Sequence, residues 1–562
     1  MQKFLIMSLK EKFEQYKSIL ENALNALKNR YFFAQYPEMP SPAVYGEDAQ
    51  QKGLQAFENQ LNKPFDRLLQ SGEWVASAEK SPFRNENIGI QYPVHKDVQT
   101  YIDLSKKAFQ TWKKLTVEER AGVLIECLEN IKKHFFEIAY ATMHTTGQAF
   151  MMSFQASGPH ANDRALEAIA MGYQELTYFV HNTSWIKPMG KVNVHLEKEF
   201  IPVPKGISLA IGCSTFPIWN TVPGMFASLI TGNTVIVKPH PLAIYPIAIV
   251  VAEMQRTFQA NGLDPHIVQI AIDHPNNLIT KTLAEHPDIK IIDFTGSSEF
   301  GHYIESLPGK ITFTEKAGVN SAIIDSTNNY KEMLNNLAFS VSLYSGQMCT
   351  APQNILVSEK GIETENGIKS FEEFAQDFKA AVEGLCQNPK AGPAICGAIQ
   401  NENTLKRIEE AKKLGKIILE PRKIQNTEFP NAVTSSPLIL AINEKDKSVY
   451  EKELFGPIVL LIQTSSTDSS IAIAKEMAQK HGAISCLVYS KHSHVIEKVK
   501  EDMMEAATSV SFNLYGPIYV NQNAAFSDFH VTGGNPAGNA SFTDASFVTK
   551  RFHYVGFRQP KS

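Results

Sequence analysis

The chain has no run of 18 apolar residues, so no transmembrane helix is expected. Its N-terminus, MQKFLIMSLKEKFEQ, offers only Phe4 to Met7 before charge returns, which is too short for the core of a signal peptide. The six cysteines, at 127, 213, 349, 386, 396 and 486, form no CxxC pair and no zinc spacing. That argues against a disulfide framework or a zinc site, and for free thiols in a reducing, cytoplasmic setting with no metal. There is no basic excess. A net charge of −4 gives no electrostatic reason to expect a nucleic-acid partner. Internal repeats and low-complexity tracts are also missing. What remains is a soluble globular composition, 43% hydrophobic and 20% charged, over 562 residues, more than one ordinary core holds. Two or three domains are expected.

Residues 8–35 carry apolar side chains at helical spacing, and PEMPSPAVYG (Pro37 to Gly46) interrupts them as a loop. Residues 47–185 are mostly helical in pattern, with one clear helix in VQTYIDLSKKAFQTWKKL and another from Val117 to about His134. From residue 205 the texture changes. ISLAIG, TVIVKP, IVQIAI and KIIDFTG read as strands, alternating with helices at Val222–Ile230, Pro246–Gln259 and Asn277–Glu285. Strands that are apolar throughout, alternating with helices, imply a parallel sheet covered on both faces: a doubly wound, Rossmann-type α/β unit. A second α/β pattern follows residue 320, with MLNNLAFSVSLYSGQMC read as a helix running into a cysteine loop. The tail from Thr532 is rich in Gly, Asn and Ser, then apolar and aromatic.

The chemistry centres on YSGQMCTAPQ. Cys349 is either a buried small hydrophobe or a nucleophile, and a thiol of pKa about 8.5 needs a base or a positive environment to react at neutral pH. TFTEKAGVN places Glu315 at the end of an apparent strand, where it is either a solvated carboxylate or a base entering a crevice. FTGSSEFG, with Gly296, Ser297 and Gly301, follows a strand. It is a plain turn or a phosphate-binding helix entry, and it lacks the GxGxxG fingerprint. VIVKPHP ends a buried strand with Lys238, either a snorkelling lysine or a ribose contact. KELFGPIV sets Glu453 and Phe455 before a Gly-Pro turn, where Phe455 either fills the core or covers a flat ring.

Taken in this order, FTGSSEFG, TEKAGVN, GQMCTA, ELFGP, VIVKP and AFQTWKKLTVEER resemble the aldehyde dehydrogenase superfamily over roughly residues 80–560. PEMPSPAVYGE, CSTFPIWNTVPG and the tail FSDFHVTGGNPAGNASFTDASFVTKRFHYV are similar to its unfused phenylacetic acid degradation branch. The resemblance implies an α/β fold: a Rossmann-type cofactor domain, a second α/β catalytic domain and a small oligomerisation arm. The implied boundaries are 1–80 for a mainly helical extension, 81–185 with 205–318 for the NAD(P)-binding domain, 186–204 with 536–562 for the arm, and 319–535 for the catalytic domain.

It also implies roles. Cys349 attacks an aldehyde, Glu315 activates water against the thioester, and Glu453 holds the nicotinamide ribose with Phe455 beside the ring. Lys238 binds the adenosine ribose, and Gly296, Ser297 and Gly301 form the pyrophosphate turn. Two departures qualify this. The asparagine expected before Phe-Pro, an oxyanion donor, is Thr215 here, with Asn220 five residues later as the alternative. The glutamate that often follows the strand-end lysine is Pro241, preceded by His240. That admits NADP, with His240 as a phosphate contact, while NAD stays possible. The expected activity is oxidation of an aldehyde to a free acid, with a ring-opened CoA-linked semialdehyde of phenylacetate catabolism as the implied substrate. A CoA-acylating dehydrogenase and a non-catalytic dinucleotide-binding relative are the alternatives. The resemblance further implies a homodimer or dimer of dimers.

Overall fold

The computed structural model describes residues 8–519 and 524–561. The short apolar run Phe4–Met7 lies outside the described residues. The first helix, Leu9–Asn29, starts at a capping box in which Ser8 and Glu11 satisfy each other's backbone N–H. Its buried face, Phe13, Leu20, Ala23 and Leu27, joins the largest core cluster. Gly122 lets the helices meet closely, since a Cβ there would lie 2.7 Å from the Phe13 backbone.

Five parallel strands form the first sheet: β1 (Ile207–Ile211), β2 (Thr234–Lys238), β3 (Val268–Ile270), β4 (Ile289–Thr295) and β5 (Ile311–Glu315). Their order is β5-β4-β1-β2-β3. Alternate residues face opposite clusters: Ala210, Val235 and Val237 enter one core, while Leu209, Ile211 and Ile236 enter another. Both faces are therefore covered, which is why these strands are apolar throughout. The order reverses between β1 and β4, and the crevice beyond their carboxyl ends is where such sheets bind ligands.

The second sheet has seven strands: β6 (Ser321–Ile324), β7 (Asn354–Ser358), β8 (Lys416–Leu419), β9 (Leu438–Asn443), β10 (Ile458–Thr464), β11 (Ser485–Tyr489) and β12 (Ser509–Phe512). Their order is β8-β9-β10-β7-β6-β11-β12, with only the β8–β9 pair antiparallel. A hairpin of Asn182–Met189 and Val192–Pro204 pairs antiparallel with Phe552–Pro560 to make a separate three-stranded arm.

Four expectations change. The stretch read as mostly helical contains Glu73–Ala76 paired antiparallel with Gln91–Val94, because Pro82 and Pro93 stop any helix there. The helix preceding Cys349 ends at Ser342, where Tyr344, Ser345 and Gly346 turn left-handed (φ 52°, 50° and 62°). The helix expected from Asn277 begins at Thr280. The arm takes only the last part of 536–562, since Phe542, Phe547 and Val548 lie in the main core. Arg551 ends that buried stretch with its guanidinium 2.6 and 2.8 Å from the two oxygens of Asp293.

Candidate active site

The first sheet's carboxyl ends face the amino ends of β7 and β10. Glu315 closes β5. Cys349 sits on the loop entering β7, and Glu453 and Phe455 on the turn entering β10. Together with Thr215, Gly296 and Ser297 they line one cavity of about 280 Å³ at the β1/β4 switch point. A second cavity, about 450 Å³, opens from the other side of Cys349.

The nucleophile loop is held from several sides. Gly346 needs its left-handed φ, and a Cβ there would lie 2.5 Å from the Gly456 carbonyl. Tyr344 Oη donates to the Thr146 carbonyl at 2.7 Å, and Ser345 Oγ lies 3.0 Å from the Cys396 carbonyl. Asn320 Nδ2 donates to the carbonyls of Cys349 (2.7 Å) and Ala351 (3.1 Å), while its Oδ1 accepts from the amides of Ile484 and Ser485. Gln353 ties this loop to the β10 turn, accepting from Leu454 N at 2.6 Å and donating to the Lys452 carbonyl.

Cys349 Sγ, the Glu315 carboxylate and the His530 imidazole lie within 4.8 Å of one another. Burial, and then the adjacent Glu315 charge, push the Cys349 thiol well above its ordinary range. Glu315 moves the opposite way. Burial opposes its charge, but His530, with hydrogen bonds from Cys349 and Asn220, brings it below the usual carboxylate value. His530 Nε2 is 3.1 Å from Oε1, and Asn220 Nδ2 donates to Oε2 at 2.9 Å. The resting pair is thus a neutral thiol beside an ionised carboxylate, and charging the thiol in this site is costly. Glu453 is pushed up to about 7 by burial, against the Gly318 N–H and the Arg407 charge.

The sequence candidates therefore divide. Cys349, Glu315, Thr215, Gly296, Ser297, Glu453 and Phe455 share the crevice. Lys238, His240 and Gly301 do not line it. Lys238 is buried at the end of β2, 2.7 Å from Asp273 Oδ1, and donates to the Pro239 carbonyl. His240 accepts from Leu242 N on Nδ1, and burial with the nearby Lys238 charge lowers its pKa to about 4, so the phosphate contact expected of it would come from a neutral ring. Gly301 serves packing, since a Cβ there would come 2.5 Å from the Lys316 side chain. Asn220, the alternative oxyanion donor of the sequence, is buried against Glu315. Thr215 keeps its hydroxyl 3.8 Å from Cys213 Sγ, and its carbonyl accepts from Gln148 Nε2. The sequence reading gave no role to His530, Asn320 or Gln148. The first two stand inside the motifs FSDFHVTGG and TEKAGVN, but nothing in their spacing says that they meet Glu315 and Cys349.

A thiol, a carboxylate and a crevice at the switch point are the parts of a dehydrogenase that works through a covalent adduct. The aldehyde dehydrogenase family model matches residues 74–545. The chain belongs to the aldehyde dehydrogenase family. A crystal structure of an NAD-dependent aldehyde dehydrogenase from Burkholderia multivorans is 43% identical, with a TM-score of 0.95, covering 98% of this chain and 99% of that one. Among curated relatives, the alpha-ketoglutaric semialdehyde dehydrogenase of Bacillus subtilis (strain 168) is 24% identical over 425 residues, 72% of this chain and 82% of its own. The malonate-semialdehyde dehydrogenase 1 of Geobacillus kaustophilus (strain HTA426) is 20% identical over 512 residues, 88% of this chain and 100% of its own.

The family implies a nicotinamide dinucleotide, and the crevice suits its nicotinamide end. Gly296 keeps the β4 turn low, since a Cβ would meet the Phe294 ring at 2.7 Å. The helix Ser298–Ser306 presents its N-terminus there, and the half-buried Glu453 lines the same cavity. Among the described residues, no helix is long and apolar enough to cross a membrane.

Proposed function

We propose that the protein oxidises an aldehyde to a free carboxylic acid through an adduct on Cys349, with NADP or NAD as acceptor. The observation that carries this is the Cys349–Glu315 pair placed where the crevice and the 450 Å³ cavity meet. Cys349 adds to the carbonyl carbon while its thiol proton passes to Glu315. The resulting alkoxide needs donors: the Cys349 N–H and the Thr215 hydroxyl take that role, with the second amide hydrogen of Asn220, whose first goes to Glu315, as the alternative. The dinucleotide, when bound, supplies the hydride acceptor that turns the adduct into a thioester. Glu315, having released its proton, then takes one from water as the oxygen attacks the thioester carbon, and the acid leaves as the Cys349 thiol is restored. One aldehyde, one oxidised dinucleotide and one water give one acid, one reduced dinucleotide and one proton. Pro241 leaves room for a 2′-phosphate, which supports NADP, while the Asp273 carboxylate beside Lys238 favours NAD.

The larger cavity supports a reading of the substrate. Met151, Met152, Phe216, Trp219, Phe339 and Leu343 line it, with Glu38 and His160 among its polar residues and neither Lys nor Arg among the described lining. Malonate and alpha-ketoglutaric semialdehydes carry a carboxylate, and a buried carboxylate needs a cation or several donors. This cavity takes an aldehyde whose near end is uncharged: an apolar chain or ring. The CoA-linked semialdehyde of phenylacetate catabolism remains the proposed substrate on the strength of the tail motifs. A Glu315 held ionised supports water, not CoA, as the thioester's acceptor. The exposed apolar residues Ile186, Met189, Val192 and Phe557 on the arm support assembly into dimers.

An aldehyde panel with NAD and NADP tests this. Reduced dinucleotide should form with apolar and CoA-linked aldehydes, at least tenfold faster in kcat/KM than with malonate semialdehyde, and should be lost in Cys349→Ala. Acyl-CoA as the product when free CoA is added would refute hydrolysis.

A further inference from the structure

The C-terminal tail returns to the edge of the first sheet. Lys316 N donates to the Ala537 carbonyl, and Thr314 N to Asn539 Oδ1, so the tail lies along the end of β5. Beside it, Phe542 N donates to the His530 carbonyl at 2.9 Å, and this short pairing carries the imidazole to Glu315. His530 is 3% exposed, edge-on to Trp219 at 4.7 Å and 5.3 Å from Phe542. Its Nε2 meets Glu315, while Nδ1 is buried without a hydrogen-bond partner among the described residues. A carboxylate only accepts, so Nε2 carries the hydrogen of this contact.

The histidine's own position is fixed by distant parts of the chain. Arg164 donates to the carbonyls of Asp528 and Ala524, and Glu167 accepts from Phe526 N. From the N-terminal extension, Phe33 packs edge-on against Phe526 at 5.1 Å and Arg30 stacks over Phe529 at 3.9 Å. The helical extension that the sequence left without chemistry thus buttresses the loop carrying His530.

We propose that His530 is a positioning residue for Glu315. Its Nε2–H fixes one carboxylate oxygen and keeps the group ionised for the attack of water on the thioester, with the N-terminal extension holding the histidine in place. The inference rests on Glu315 being the hydrolytic base. In a buried site an N–H donor aimed at one carboxylate oxygen stabilises the anion. The other titratable groups facing Glu315 are Cys349, on the nucleophile loop, and Cys213, after β1; Glu453 faces Cys349 from the β10 turn. Lys316 is turned away onto Glu305.

The test separates the two half-reactions in full-length enzyme. The burst of reduced dinucleotide per site reports adduct formation and hydride transfer; the decay of the acyl-enzyme, across pH 5 to 9, reports hydrolysis. His530→Phe should keep a burst near one per site, slow acyl-enzyme decay about 10- to 100-fold and move its acid limb up by about one pH unit. His530→Gln, which returns an amide N–H at similar reach, should restore the limb and most of the rate. If His530→Phe loses the burst, His530→Met replaces it as a donor-free filler of the same cage. A donor-free variant with decay within twofold of wild type and an unmoved limb overturns the proposal, as does a folded His530→Gln that fails to restore the limb. Failure of the wild type to form reduced dinucleotide with any aldehyde of the panel would instead refute the proposed function.

Discussion

Asn320 offers the sharpest perturbation of the nucleophile. It is 2% exposed, and its side chain makes four hydrogen bonds, two donated to the carbonyls of Cys349 and Ala351 and two accepted from the amides of Ile484 and Ser485. It therefore stitches the Cys349 loop to the start of β11. Asn320→Ala leaves two buried N–H groups and two carbonyls without that partner. At about 1 kcal/mol net for each bond, the loss is about 4 kcal/mol, or roughly 10³-fold in the local opening equilibrium. Hydrogen exchange measured on peptides spanning 480–490 and 345–353 should show this loss at Ile484 and Ser485, while the amides of β1 and β2 keep their protection. The released loop should also lower kcat by at least 10²-fold, because Cys349 no longer holds its place beside Glu315. Asn320→Asp separates the two halves. It keeps the acceptor for Ile484 and Ser485 but sets a carboxylate against the Cys349 carbonyl, so exchange at 484–485 should stay slow while activity falls. Wild-type exchange together with wild-type turnover in Asn320→Ala would refute the reasoning.

Two further outcomes follow from charges. Glu453, with its pKa raised to about 7, is largely protonated below that pH and becomes an acceptor above it, so dinucleotide binding measured by fluorescence quenching should tighten as pH rises from 6 to 8. Glu453→Gln should remove that dependence. Arg551 is fully buried, pairs with both oxygens of Asp293 and donates to Ser228 Oγ, so Arg551→Met should cost about 3–5 kcal/mol by stranding the carboxylate. In urea unfolding, Arg551→Met combined with Asp293→Asn should recover part of that loss, and an Arg551→Met midpoint equal to wild type would contradict it.

Local signals determined a good deal. Strands apolar along their whole length could only be covered on both faces, so ISLAIG, TVIVKP and KIIDFTG already specified a parallel, doubly wound sheet. A strand-end motif also marked Glu315, while Cys349 and Glu453 were marked by motifs on the loops that lead into strands. The helix into Cys349 was misjudged at its end, because the left-handed backbone of Tyr344 and Ser345 is imposed by contacts to Thr146, Cys396 and Ser435, all distant in sequence. Lys238 and His240 were legible as strand-end residues, but their burial and the Asp273 partner were not. Nor could periodicity show that 536–551 enters the core before the chain joins the arm.

What sequence alone marked was the sheet, the candidate thiol and its candidate base, since each motif depends on residues adjacent in the chain. Only the tertiary structure decided how that base is held. His530 lies 215 residues from Glu315, and Asn220 lies 95 away. A hydrogen bond across such a separation leaves no periodic trace in the chain; it exists because the tail folds back along β5 and the N-terminal extension packs behind it.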